Sequence, residues 1–207
     1  MKRIAFHFDP ISPFAYLAFE RLPQVLAGCS YEVAYRPVLF AGLLQHWGTK
    51  GPAEVEPKRA WTFRHVAWLA QRHGIAMQTP AVHPFNPLPL LRLAVACGPN
   101  RHVVEALFRH VWLGGADPTD AARLAELTAT LAPPRDPAGA DVKAELRQAT
   151  DGAIAAGIFG VPTFELDGRL FWGVDALDML RDALLGDAWF EGPDWAAAAA
   201  ARPGVVR

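Results

Sequence analysis

An α/β fold interrupted by an all-helical insertion is predicted for this chain of 207 residues, on three observations. Residues 1–40 spell strand, helix, strand; residues 41–140 carry helical periodicity with no strand pattern; residues 141–187 spell helix, β-hairpin, helix. A strand–helix–strand unit favours a parallel pair, so the two outer segments form one discontinuous sheet domain. Residues 188–207 are left as a C-terminal tail.

The first strand is "RIAFHFD" (3–9), where Ile4, Phe6 and Phe8 alternate with smaller or polar neighbours. From Pro13 to Ala27 the apolar positions recur at helical spacing, and proline suits a first helical position. "YEVAYRPVLF" (31–40) is a second strand, stopped near Pro37. In the insertion, helices are predicted over 58–74, 86–98, 101–113 and 118–131, separated by Gly, Pro and Asn. A helix at about 141–157 follows, with Asp141 as its cap. "FGVPTFELDGRLFWG" then reads as strand, Asp-Gly turn, strand. "VDALDMLRDALLG" closes as an amphipathic helix that Gly186 terminates. The alanine-rich tail reads as a loosely held end. This order, β-α-β, α, β-β, α around a helical insertion, matches a thioredoxin-like fold.

Composition narrows the function classes. With 52% hydrophobic residues the chain can bury a sizeable core, and a net charge of −1 without basic runs argues against nucleic acid. The apolar stretch of "MKRIAFHFDP" is too short for a signal-peptide core, and no later segment has transmembrane length. Cys29 and Cys97 are far apart and form no C-x-x-C, which argues against a disulfide scaffold or a zinc site and sets a reducing cytoplasm as the expected location. The seven histidines show no metal-ligand spacing, so no metal is assigned.

Five places carry candidate chemistry. Ser12 stands between a strand and a helix, where it either caps the helix or donates to an anion held at the helix's positive end. No base neighbours it, so it is poorly placed as a nucleophile. Pro162 in "FGVPTF" is a strand-edge proline if trans; if cis, the Val161 backbone can pair with an extended peptide. Asp175 in "RLFWGVDAL" either starts a helix or holds an ammonium group. Lys50, Lys58, Arg59 and Arg64 form a solvated face or a receiver for carboxylates. Asn86 in "HPFNPLPLL" is the simplest cap for the helix after it.

Over roughly residues 4–186, "FDPISPFAYLA", "YRPVLFAGLL…GPAEVEPKR", "HPFNPLPLLRLA", "GIFGVPTF" and "LFWGVDAL" resemble the 2-hydroxychromene-2-carboxylate isomerases. These are relatives of the kappa-class glutathione transferases within the DsbA-like thioredoxin superfamily. The resemblance implies glutathione as the cofactor, bound beside Ser12 and along Val161, a cis Pro162, Trp172, Gly173, Val174 and Asp175, with Lys58 in contact. Ser12 stands where redox relatives carry cysteine, so the reactive sulfur is the tripeptide's. Implied too are a cis–trans isomerisation of an aromatic 2-oxo acid, a homodimer, and, as the alternative, a kappa-class-like transferase or peroxidase activity. Asn86, Lys50 and Arg64 are all candidates to orient the substrate carboxylate, and nothing in the sequence selects among them. The chain departs from its relatives at Val174, where isomerases commonly have asparagine. It departs again at Thr49, where kappa-class chains have asparagine, and at Leu44, where some isomerases have lysine.

Overall fold

A computed structural model describes residues 1–200. Four strands, β1 (Lys2–Phe8), β2 (Tyr31–Pro37), β3 (Thr163–Leu166) and β4 (Arg169–Trp172), form one sheet in the order β2-β1-β3-β4. β1 and β2 run parallel with Phe8 opposite Pro37; β3 runs antiparallel to β1 with Thr163 opposite His7, and β4 antiparallel to β3. The β3–β4 turn is Asp167-Gly168, both at positive φ (51° and 78°), the conformation that Asp-Gly supplies in a two-residue hairpin. The thioredoxin-like sheet with its long helical insertion is therefore present.

The helices are α1 (Pro13–Val25), α2 (Phe40–Trp47), α3 (Glu56–His73), α4 (Leu88–Cys97), α5 (Arg101–Trp112), α6 (Ala121–Leu131), α7 (Ala140–Ala155), α8 (Leu177–Leu185) and α9 (Pro193–Ala198). The helical periodicities in the insertion correspond to α3–α6, with starts shifted where side chains decide. At α4, Asn86 is not the cap: its Oδ1 accepts from the Leu88 N–H (3.1 Å) in a local turn, and Pro87 takes the cap position. At α6, Asp120 caps through Arg123 N–H (2.9 Å). Asp141 lies inside the first turn of α7, whose cap is Gly139. Helix α2 had no start signal of its own, since Leu39 at its cap makes no side-chain bond. The tail is better held than expected as far as Ala198: Phe190 is buried, with its ring 5.9 Å from Phe171 and 5.3 Å from Trp195. The remainder of the predicted tail, 201–207, lies outside the described residues.

The core starts on one face of β1. Ile4, Phe6 and Phe8 are wholly buried, and Phe6 stacks on Phe164 of β3 at 4.8 Å. Each such aromatic pair adds about 0.5–1.5 kcal/mol beyond area burial. The same hydrophobic cluster takes in Leu17 of α1, Val66 of α3, Leu93 of α4 and Phe108 of α5. The insertion is thus packed directly on the helix that begins at Ser12, and that packing gives the site rigid walls.

Candidate functional site

The site begins where β1 ends. Asp9, Pro10 and Ile11 form a turn closed by the Ser12 N–H bonding the Asp9 carbonyl (3.0 Å). Ser12 takes extended φ/ψ, and its Oγ accepts from the Ala15 N–H at 3.2 Å, as an N-cap does. The hydroxyl donates in turn to the Val161 carbonyl (3.2 Å), so one buried side chain is both cap and cross-link. In the first turn Pro13 has no N–H, and Tyr16's goes to the Ser12 carbonyl (3.2 Å). Among the described residues this leaves the Phe14 N–H free, beside a hydroxyl whose proton can turn, at the positive end of the helix. That is an environment suited to a thiolate.

Opposite Ser12, the Val161–Pro162 bond is cis. The Pro162 carbonyl accepts from the Gly173 N–H (2.9 Å), which binds the end of β4 to the start of β3. Trp172 stands half exposed with its ring 4.9 Å from Phe159, and its indole lies over Gly160. Gly173 has φ +98°, and a Cβ there would strike the carboxylate of Asp175. Because the chain turns at Gly173, α8 begins only at Leu177 and Asp175 falls outside its first turn, which holds Asp178 instead.

Between these two edges lies a cavity of about 850 Å³. Phe14, Phe40, Leu44, Phe63, Phe85 and Phe159 supply apolar walls, and Lys50 and Glu54 sit in the segment on one side. Of the residues expected in the site, Ser12, Lys50, Val161 and Trp172 line this cavity. Pro162, Gly173, Val174 and Asp175 follow along the adjoining chain; Val174 is buried and Asp175 exposed. Lys58, Arg64 and Asn86 are exposed and do not line it.

Two lining residues carry chemistry that sequence reasoning did not single out. Asp9 is completely buried; one carboxylate oxygen accepts from Ile11 N–H (3.1 Å) and the other from Phe40 N–H (3.0 Å). It therefore clamps the Ser12 turn to the start of α2. Burial outweighs those two N–H groups and pushes its pKa up to about 7. His83 bonds the Ile11 carbonyl through Nε2 at 2.9 Å. A carbonyl only accepts, so Nε2 carries the proton, and burial holds the ring's pKa below its usual value. The signals were an acid closing an apolar strand before Pro10 and a histidine before Pro84, both too common to separate from ordinary turn residues.

No group of three His, Cys, Asp or Glu among the described residues is arranged to hold a metal, and no helix among them is long and apolar enough to cross a membrane. Cys29 and Cys97 are unpaired and half-buried, and neither lines the cavity.

A serine stands at the helix start with a cis proline facing it, in a thioredoxin-like fold whose two cysteines lie away from the cavity. The chain belongs to the DSBA-like thioredoxin domain family, whose match spans residues 3–185. It is 31% identical over 196 residues to a 2-hydroxychromene-2-carboxylate isomerase of Sphingobium xenophagum, covering 89% of this chain and 98% of that one. It is 27% identical over 206 residues to glutathione S-transferase kappa 1 of Rattus norvegicus, covering 88% and 90%. A solved 2-hydroxychromene-2-carboxylate isomerase superposes with a TM-score of 0.78 at 24% identity, over 93% of this chain and 98% of that one, which attests the fold.

Proposed function

We propose that this protein is a glutathione-dependent cis–trans isomerase of an aromatic 2-oxo acid, interconverting 2-hydroxychromene-2-carboxylate and trans-o-hydroxybenzylidenepyruvate or a related compound. The observation that carries the reading is the Ser12 hydroxyl at the start of α1, 3.2 Å from the carbonyl before a cis proline and inside a largely apolar cavity. Similarity to proteins named for that isomerisation and for glutathione transfer supports it.

The residues present fit the tripeptide. The Val161 backbone, in the bend before β3, faces the cavity, and the turn Trp172–Asp175 offers a carboxylate for an ammonium group. Lys58, exposed on α3, reaches the tripeptide in this reading only from the rim. When bound, glutathione supplies a reversible sulfur nucleophile that lets a conjugated double bond rotate as a single bond.

The protein's own part is electrostatic. The Ser12 proton turns from the Val161 carbonyl to the sulfur, exchanging a neutral acceptor for a charged one, and charge-assisted bonds are the stronger kind. The Phe14 N–H and the helix dipole add to it. The phenyl walls hold the aromatic ring and exclude water. Lys50 lines the cavity and is the best placed of the three carboxylate-orienting candidates; Arg64 and Asn86 point to solvent outside it.

The test is an assay on 2-hydroxychromene-2-carboxylate with and without glutathione, repeated with Ser12→Ala. Turnover that requires glutathione, leaves its amount unchanged and falls in the variant supports the reading; turnover indifferent to glutathione overturns it. Steady consumption of glutathione instead favours the kappa-class-like transferase alternative, and consumption only when a peroxide is added favours a peroxidase.

A further inference from the structure

The mechanism above leaves one proton unaccounted for. A bound thiol that becomes a thiolate at Ser12 releases a proton, and the nearest buried ionisable group has no role yet. Asp9 is three residues away in the same closed turn, lines the same cavity and is wholly inaccessible to solvent. Each of its oxygens accepts a single backbone N–H, from Ile11 and from Phe40, which leaves lone pairs able to take a proton. No basic side chain pairs with it among the described residues.

From this we infer that Asp9 takes up the proton that a thiol bound at Ser12 gives up. One S–H bond breaks, one O–H bond forms on the Asp9 carboxylate, and the site carries a single negative charge before and after. The inference rests on the proposal that glutathione binds at Ser12.

The physical reason is the cost of two like charges in one low-dielectric space, which raises the proton affinity of whichever group is the better base. Asp9 is poised for this, since burial alone already holds it near neutrality. The other ionisable groups facing the cavity are Lys50 and Glu54, both exposed, and His83. Lys50 is a cation and has no proton to gain. Glu54 is exposed, so water screens its charge from a thiolate in the cavity, as it cannot for the buried Asp9. His83 has its Nε2–H committed to the Ile11 carbonyl, and burial disfavours its cation. Helices α1 and α2 turn no ionisable side chain toward the cavity.

Calorimetric titration with glutathione in buffers of different ionisation enthalpy reads the protons released per ligand bound, while ultraviolet difference absorbance reports the thiolate. With the thiolate formed at both pH values, wild-type release should fall from about 0.9 near pH 6 to about 0.2 near pH 7.5, as Asp9 passes from protonated to ionised in the free protein. Asp9→Asn should release about one proton at both. S-Methylglutathione, with no thiol proton, should exchange almost none with the wild-type protein at either pH. If the variant does not fold, the infrared difference spectrum of the wild type at pH 7.5 decides: a protonated-carboxyl band gained on glutathione binding supports the role of Asp9, and its absence overturns it. Release of about one proton by the wild type at both pH values overturns the role of Asp9 and leaves glutathione binding intact. No binding of glutathione overturns both readings together.

Discussion

The Ser12 hydroxyl donates to the Val161 carbonyl at 3.2 Å, across a sequence separation of 149 residues. That one bond joins the two halves of the divided sheet domain at the point where the cavity opens. The same oxygen caps α1 through Ala15 N–H, so the residue has a measurable role in stability as well as in binding.

Ser12→Ala should therefore cost about 1 kcal/mol of stability from the lost cap. In the proposed reaction it should cost more, since a hydrogen bond to a charged group contributes about 1.5–3 kcal/mol, or about 10- to 150-fold in rate. Urea unfolding and steady-state kinetics on the same variant separate the two. A rate loss no larger than the stability loss explains would show that the hydroxyl is only a cap.

Asp9 gives stability a pH dependence of definite sign. Its pKa is raised from 3.8 to about 7, so the folded protein binds this proton more tightly than the unfolded chain does. Its contribution is fully present below about pH 3.8 and is lost as pH rises through about 7. His83, whose pKa burial lowers from 6.5, works the other way: its contribution is present above that value and lost as pH falls. Asp9→Asn removes only the first slope. The melting temperature of wild type minus that of the variant should shrink steadily between pH 4 and pH 7.5, and a constant difference contradicts the assignment.

Trp112 holds the insertion to the Ser12 turn. It is fully buried, and its indole N–H donates to the Pro10 carbonyl at 2.9 Å. Trp112→Phe strands that carbonyl and opens a void, which together should cost about 2–4 kcal/mol. Glutathione affinity should weaken in still-folded protein, because Pro10 precedes Ser12 by only two positions. Denaturant midpoints and calorimetry test both effects; an unchanged affinity would show that the turn holds its shape without this anchor.

A Cβ on Gly160 would lie 2.6 Å from the Trp172 indole nitrogen. Trp172 is 54% exposed and can swing outward, so Gly160→Ala should change stability by less than about 1 kcal/mol. It should nevertheless shift tryptophan emission and raise the KM for glutathione several-fold, by moving the residue at the rim. An unshifted spectrum with unaltered KM would remove Trp172 from the binding surface.

Legibility in the sequence followed the range of the interaction that fixes each residue. Ser12 before Pro13 and the Asp-Gly turn are local signals, and both stand where their spacing puts them. Asn86 also carries a local signal, but Pro87 behind it takes the cap and leaves Asn86 to a two-residue turn. Asp9 became conspicuous only through the Phe40 N–H, which arrives from a separation of 31 residues. Helix α2 has no capping side chain to mark it. Phe190 is held by rings on β4 and α9, a contact that no periodicity in an alanine-rich stretch announces.

The central claim is that the protein activates a sulfur it does not itself carry. A crystal structure of the protein with glutathione tests this most directly. The account predicts the tripeptide's sulfur within about 3.5 Å of the Ser12 oxygen, beside the Phe14 N–H, with its backbone along Val161. A tripeptide bound with its sulfur directed away from Ser12 would contradict it.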